Sequence, residues 1–252
     1  MGLFLAATAD GSFATVVTTE GESKPLGGTQ LEADTRPSFQ ADDFDAARQE
    51  AAAALARGRW PAACSIATRT LANQFADPDA LGLFGLCAAL RKDGPATDKA
   101  LARLSTVEAP PRYVPLIKGI QQLQAKRPEL AEESFRSVLA SRPNDPLANY
   151  FLGEALHMRG RSADAVTAFK VVLVQWPEHG PALTAAARVL AAPKATPAEL
   201  NEAVALTERA TRADPTNRAQ WKLLADLYRR TGQVARADAV EMQWVRSPVT
   251  TR

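Results

Sequence analysis

Residues 112–145 read RYVPLIKGIQQLQAKRPELAEESFRSVLASRPND, and residues 146–180 read PLANYFLGEALHMRGRSADAVTAFKVVLVQWPEHG. One pattern is written twice. Gly119, Ala131, Phe135 and Pro143 in the first stretch return as Gly153, Ala165, Phe169 and Pro177 in the second, each 34 residues on. The order and spacing suit two antiparallel helices, A and B, followed by a turn. A glycine in mid-helix costs about 1 kcal/mol relative to alanine, so a regular one needs a packing reason. Close approach of helix B, with Ala131 or Ala165 facing the glycine, supplies it. Phe135 and Phe169 lie one turn beyond those alanines on the same face and fill the space toward the next unit. The proline ends helix B, having no amide hydrogen and disfavouring helix in the residue before it.

The pattern continues in both directions. Gly85 precedes Gly119 by 34 residues and places a unit over 78–111, whose helix B, Thr97 to Glu108, departs from the pattern before Pro110 and Pro111. Before it, 44–77 carries Ala63 in the small place and Gly58 at the turn between helices, with Asp42 or Asp43 capping the first helix. After 180, residues 181–217 keep Ala203 and Pro215, with a lengthened turn around Pro193 to Pro197. There Thr196, Pro197 and Glu199 read as N-cap, first-turn proline and capping-box acid. The last unit, 218–251, carries Trp221, Leu224, Ala225 and Tyr228, then Gly232 and Ala237.

The 34-residue period, with small, small, aromatic and proline in that order, resembles the tetratricopeptide repeat, and Trp221 to Tyr228 match its W-x2-L-G-x2-Y line with alanine for glycine. The resemblance covers about 44–251 as six repeats: 44–77, 78–111, 112–145, 146–180, 181–217 and 218–251. It implies an all-α, right-handed superhelical solenoid, stable repeat by repeat through nearest-neighbour packing, and a protein that binds other proteins. In that family helix A lines the concave surface, chiefly at places 2, 5, 9, 12 and 13. Carried onto this sequence, those places supply Leu86, Tyr113, Leu116, Ile120 and Leu123, then Tyr150, Glu154, His157 and Met158, then Lys222, Asp226, Arg229 and Arg230. A groove apolar in the middle and mainly basic at the C-terminal end is expected, with some of these residues packed between helices. Relatives that grip acidic chaperone tails use lysines and asparagines on helix A. No asparagine stands in that register here, so an apolar peptide or amphipathic helix fits better.

Composition is that of an ordinary globular chain, 46% hydrophobic and 23% charged. No window approaches the 18 or so apolar residues of a membrane span. Residues 1–43 hold seven acids and two bases, a net of −5, which leaves +7 on the remainder of a chain of net +2. No basic run with interleaved aromatics tracks a helix, which argues against nucleic acid. The 1–43 segment is broken by Gly21, Pro25, Gly27, Gly28 and Pro37, and reads as an irregular arm with a strand-forming run from Phe13. It is expected either to dock by residues 10–35 on the repeats, its own or a second copy's, or to be only a tether or processed leader. Met1 to Ala9 is similar to the end of a secretory signal but lacks its basic start. Export, for example to a periplasm, is favoured over a cytoplasmic location.

Chemistry is scarce. His157 and His179 have no ligand or triad partner at suitable spacing, and Glu132–Glu133 reads as a solvated face. H-E-x-x-H, phosphate-loop and G-x-S-x-G patterns are missing. Neither cofactor nor metal is expected, and the chain does not read as an enzyme. Cys64 and Cys87 fall on neighbouring helices, and buried free thiols are expected, a disulfide requiring an oxidising compartment and suitable geometry. Two functions follow: a scaffold or adaptor, with bacterial envelope assembly of pili or exported polysaccharide as the fold-level analogy, or an accessory subunit of an enzyme whose catalytic chain is separate.

Overall fold

A computed structural model describes residues 41–71, 78–107 and 112–246. Among the described residues there are twelve helices and no strand. They pair as antiparallel hairpins: α1 (Ala41–Ala56) with α2 (Trp60–Leu71), α3 (Pro78–Leu90) with α4 (Gly94–Leu104), α5 (Tyr113–Gln124) with α6 (Pro128–Ser141), α7 (Pro146–Met158) with α8 (Ser162–Gln175), α9 (Gly180–Leu190) with α10 (Pro197–Ala213), and α11 (Arg218–Arg230) with α12 (Val234–Arg246). Each helix packs most heavily on its hairpin partner, and the second helix of a pair leans on the first of the next. This is a helical-repeat solenoid. The expected arm, residues 1–43, with its strand-forming run and its docking, falls outside the described residues apart from the start of α1. That helix begins at Ala41, so Asp42 and Asp43 lie within its first turn instead of before it.

The glycine positions show how the hairpins close. A Cβ on Gly119 would collide with the Phe135 ring, and one on Gly153 with the Phe169 ring. The aromatic of helix B, more than its alanine, is what the glycine admits. Both rings are 0% exposed. Phe135 also reaches the next unit, stacking on Phe151 with centroids 5.8 Å apart, while Phe169 lies 5.9 Å from Tyr150 of its own hairpin. In the second hairpin Gly85 meets Ile117 and Ala100 instead, because Leu101 stands where the phenylalanine would be.

The turns inside the hairpins share one backbone device. Gly58, Lys92, Lys126 and Gly160, each 34 residues after the last, and then Gly232 adopt φ between 57° and 76°. A left-handed residue reverses the chain at the end of helix A, and glycine takes that conformation without the steric cost a lysine bears. The fifth hairpin lacks it. Its longer turn leads into α10, where Thr196 and Glu199 form the full capping box.

Glu132 departs from the solvated face expected of it. It is buried, at 6% exposed, and its carboxylate accepts from Arg136, from Arg159 and from Arg161, the last at 3.0 Å. These guanidinium groups hold its pKa below the ordinary range against the opposing effect of burial. The network ties α6 to the turn between α7 and α8. Glu133 stays exposed.

The cysteines also correct the expectation of free thiols. Cys64 and Cys87 form a disulfide between α2 and α3, with Cα atoms 5.2 Å apart. The neighbouring-helix placement brings the two backbones within bonding range. Both cysteines are buried, at 3% and 2% exposed.

Candidate functional site

The first hairpin does more than extend the stack. α1 and α2 pack on each other, and α2 packs on α3. The turn between them reaches across to the fourth and fifth hairpins. Gly58 sits so close to Pro181 that a Cβ there would strike the proline ring. Trp60, the first residue of α2, enters an aromatic cluster. Its ring centroid is 5.9 Å from Tyr150, 6.0 Å from Phe151 and 5.5 Å from His179, and Trp176 lies 5.5 Å from His179. Ala54, Leu55 and Ala63 of this hairpin join the same continuous core as Leu86, Leu116 and Ile120.

His179 holds the centre of that cluster. It is the N-cap of α9: Nδ1 accepts from the Ala182 amide at 3.1 Å. The proton then belongs on Nε2, which has no conventional partner. The surrounding ring faces offer it only weak acceptors. Burial alone pushes the His179 pKa down to about 4, so the imidazole is neutral near pH 7.

The expected concave residues divide into three groups. Leu86, Tyr113, Leu116 and Ile120 are buried between helices, with Leu123 half-buried. Tyr150 and Glu154 are half-buried and line an open cleft beside the first hairpin's turn. Burial raises the Glu154 pKa, with Arg188 and His157 opposing. His157, Met158, Lys222, Asp226, Arg229 and Arg230 are exposed. Within the last group, Arg229 grips Glu241 through two bonds of 2.7 Å, and Arg230 donates to the carbonyls of Ala191 and Ala192 at the end of α9. These two arginines are thus already engaged inside the array.

The cleft is ≈ 970 Å³. One wall is the α1–α2 turn with Arg57 and Arg59. The others come from α7, from α9 with Arg188, and from the start of α11 with Gln220. None of Arg57, Arg59, Trp60, His179, Arg188 and Gln220 was indicated by helix-A register. Trp60 opens α2 and His179 caps α9, and their meeting joins segments more than a hundred residues apart. Among the described residues, no cluster of three or more histidine, cysteine or acidic side chains suits a metal, and no helix is long and apolar enough to cross a membrane.

The family profile of the tetratricopeptide repeat matches residues 118–180. No curated protein matches the sequence. Several solved structures share the fold at low identity. PilW, described as a widely conserved type IV pilus biogenesis factor, is 16% identical, with a TM-score of 0.55 over 79% of this chain and 90% of PilW. MamA is 17% identical, with a TM-score of 0.51 over 62% of this chain and 89% of MamA. The human IFIT1 dimer with PPP-AAAA is 16% identical, with a TM-score of 0.60 over 81% of this chain and 50% of that one. The profile match falls on the two units whose residues repeat most regularly, and the flanking hairpins continue the same helical-repeat fold: residues 118–180 match tetratricopeptide repeats and sit within an array of that fold.

Proposed function

We propose that the chain is a non-enzymatic scaffold that binds an apolar peptide or amphipathic helix of a partner protein on the helix-A side of its array. The observation that carries this reading is the seat of Trp60. A helix start with an aromatic anchor already rests on Tyr150, Phe151 and His179, so this surface accepts the kind of element the partner would offer. We place it in an oxidising compartment such as a periplasm, in assembly of an envelope structure. The buried Cys64–Cys87 disulfide and the fold shared with PilW support that placement. The helical array, whose first helix begins at Ala41, is the binding unit.

Photocrosslinking tests the reading. A photoreactive phenylalanine replaces Tyr150 in one variant and Val174, which is 80% exposed, in another. One partner protein, joined through an apolar segment at position 150 and not at 174, is the expected result. Equal crosslinking at both positions would refute a helix-A site. A catalytic chain as the captured partner would favour the accessory-subunit reading instead.

A further inference from the structure

We propose that the cleft beside the α1–α2 turn recognises an internal acidic segment of the partner. This rests on the scaffold reading and specifies the partner's chemistry. Arg57 and Arg59 on the turn and Arg188 on α9 face the cleft and are exposed. Among the described residues, none of the three makes a side-chain hydrogen bond or ion pair. Arg136, Arg159 and Arg161, by contrast, are spent on Glu132. Two acids also line the cleft: Asp214, which accepts from the amide and hydroxyl of Thr216 at 3.1 and 2.7 Å within its own turn, and half-buried Glu154, which lies in the field of Arg188, so the three guanidinium groups outnumber the carboxylates.

A second observation is independent of charge. Gln220 is 3% exposed and lines the cleft. Its Nε2 donates to Thr184 Oγ1 at 3.1 Å, while its Oε1 has no partner. A buried acceptor without a donor is unusual in a folded protein. The site therefore calls for two things at once: anionic acceptors for three guanidinium groups, and an N–H donor for Gln220. Carboxylate side chains match the guanidinium fork, and the same segment's main chain brings the N–H. A fully ionised phosphate monoester offers acceptors only and would leave Gln220 unmet. No terminal carboxylate is needed, because the arginines stand on separate walls.

The probe is a fluorescein-labelled peptide of alternating Glu and Gly with its C-terminus amidated, titrated into the full chain by anisotropy. We expect saturable binding that weakens about tenfold in Arg57→Glu/Arg59→Glu and in Arg188→Glu, and severalfold between about 50 and about 300 mM salt. Gln220→Met weakens it at unchanged salt dependence. Arg127→Glu, exposed at the distant α5–α6 turn, leaves it unchanged. Circular dichroism confirms that each variant is folded. Equal loss with Arg127→Glu, no binding by the wild type, or displacement by equimolar inorganic phosphate would overturn the proposal. If Arg57→Glu/Arg59→Glu abolishes peptide binding, the cleft holds; if it leaves peptide binding intact while crosslinking at 150 persists, the cleft falls and the scaffold reading stands.

Discussion

His179→Asn should make the protein less sensitive to acid while leaving the α9 cap in place. In the native protein His179 is fully buried, and burial holds its pKa at about 4 against the usual 6.5. Above 6.5 the imidazole is neutral whether the chain is folded or not, and its full contribution to stability is present. As the pH falls, the unfolded chain takes up the proton first, and that contribution is lost down to about 4. Proton linkage puts the loss at about 2 kcal/mol at pH 5 and about 2.5 kcal/mol at pH 4.5, relative to pH 7.5. The structural cause is plain. Protonated Nδ1 cannot accept from Ala182, and the charge would sit among Trp60, Tyr150 and Trp176. Asparagine keeps the acceptor, being a good N-cap, and does not titrate. Its smaller volume costs stability equally at both pH values. Urea unfolding of both proteins at pH 7.5 and 5.0 gives a double difference in which the carboxylates common to both cancel. The expected outcome is a gap between the two proteins smaller by about 2 kcal/mol at the lower pH. Parallel pH dependence would show that His179 is solvated or already protonated in the folded state, and would refute the buried cap.

Phe169→Ala removes a fully buried ring that fills the space over Gly153 and should cost about 3–5 kcal/mol in chemical denaturation. Wild-type stability in that variant would mean that the repeat register is wrong. Reduction, or Cys64→Ala with Cys87→Ala, frees a loop spanning 23 positions. The chain-entropy relation gives a loss of about 3 kcal/mol, measurable as a lowered urea midpoint. Gly58→Ala places a side chain at φ 71° and against Pro181. The turn should lift, giving faster amide exchange over 47–71 with 113–175 unchanged, and no change in the first segment would contradict the docking.

The fold was legible because its determinants repeat. Gly119 with Phe135, and Gly153 with Phe169, mark the same crossing twice, and the capping box at Thr196 is local chemistry that any helix start obeys. The site was less legible. Helix-A register picked out Tyr150 and Glu154, which line an opening. It also selected Leu116 and Ile120, which the packed array buries. Arg230 illustrates another limit: its partners are carbonyls at the end of α9, produced by the lengthened turn of the fifth hairpin. The disulfide depended on a backbone distance that sequence spacing does not encode. Glu132 depended on three arginines converging, two of them nearly a full repeat away.

The contact between Trp60 and the fourth and fifth hairpins bears on how such a chain can change length. An open stack of repeats gains or loses a unit at little cost, since every junction is equivalent. Here the tip of the first hairpin must land on Pro181 and the Tyr150–His179 cluster, and only the present number of intervening units brings it there. Duplicating or deleting one 34-residue unit between 78 and 145 would preserve each local junction yet carry Trp60 past its seat. The array is counted as well as stacked, and the seat of Trp60 sets the number of units.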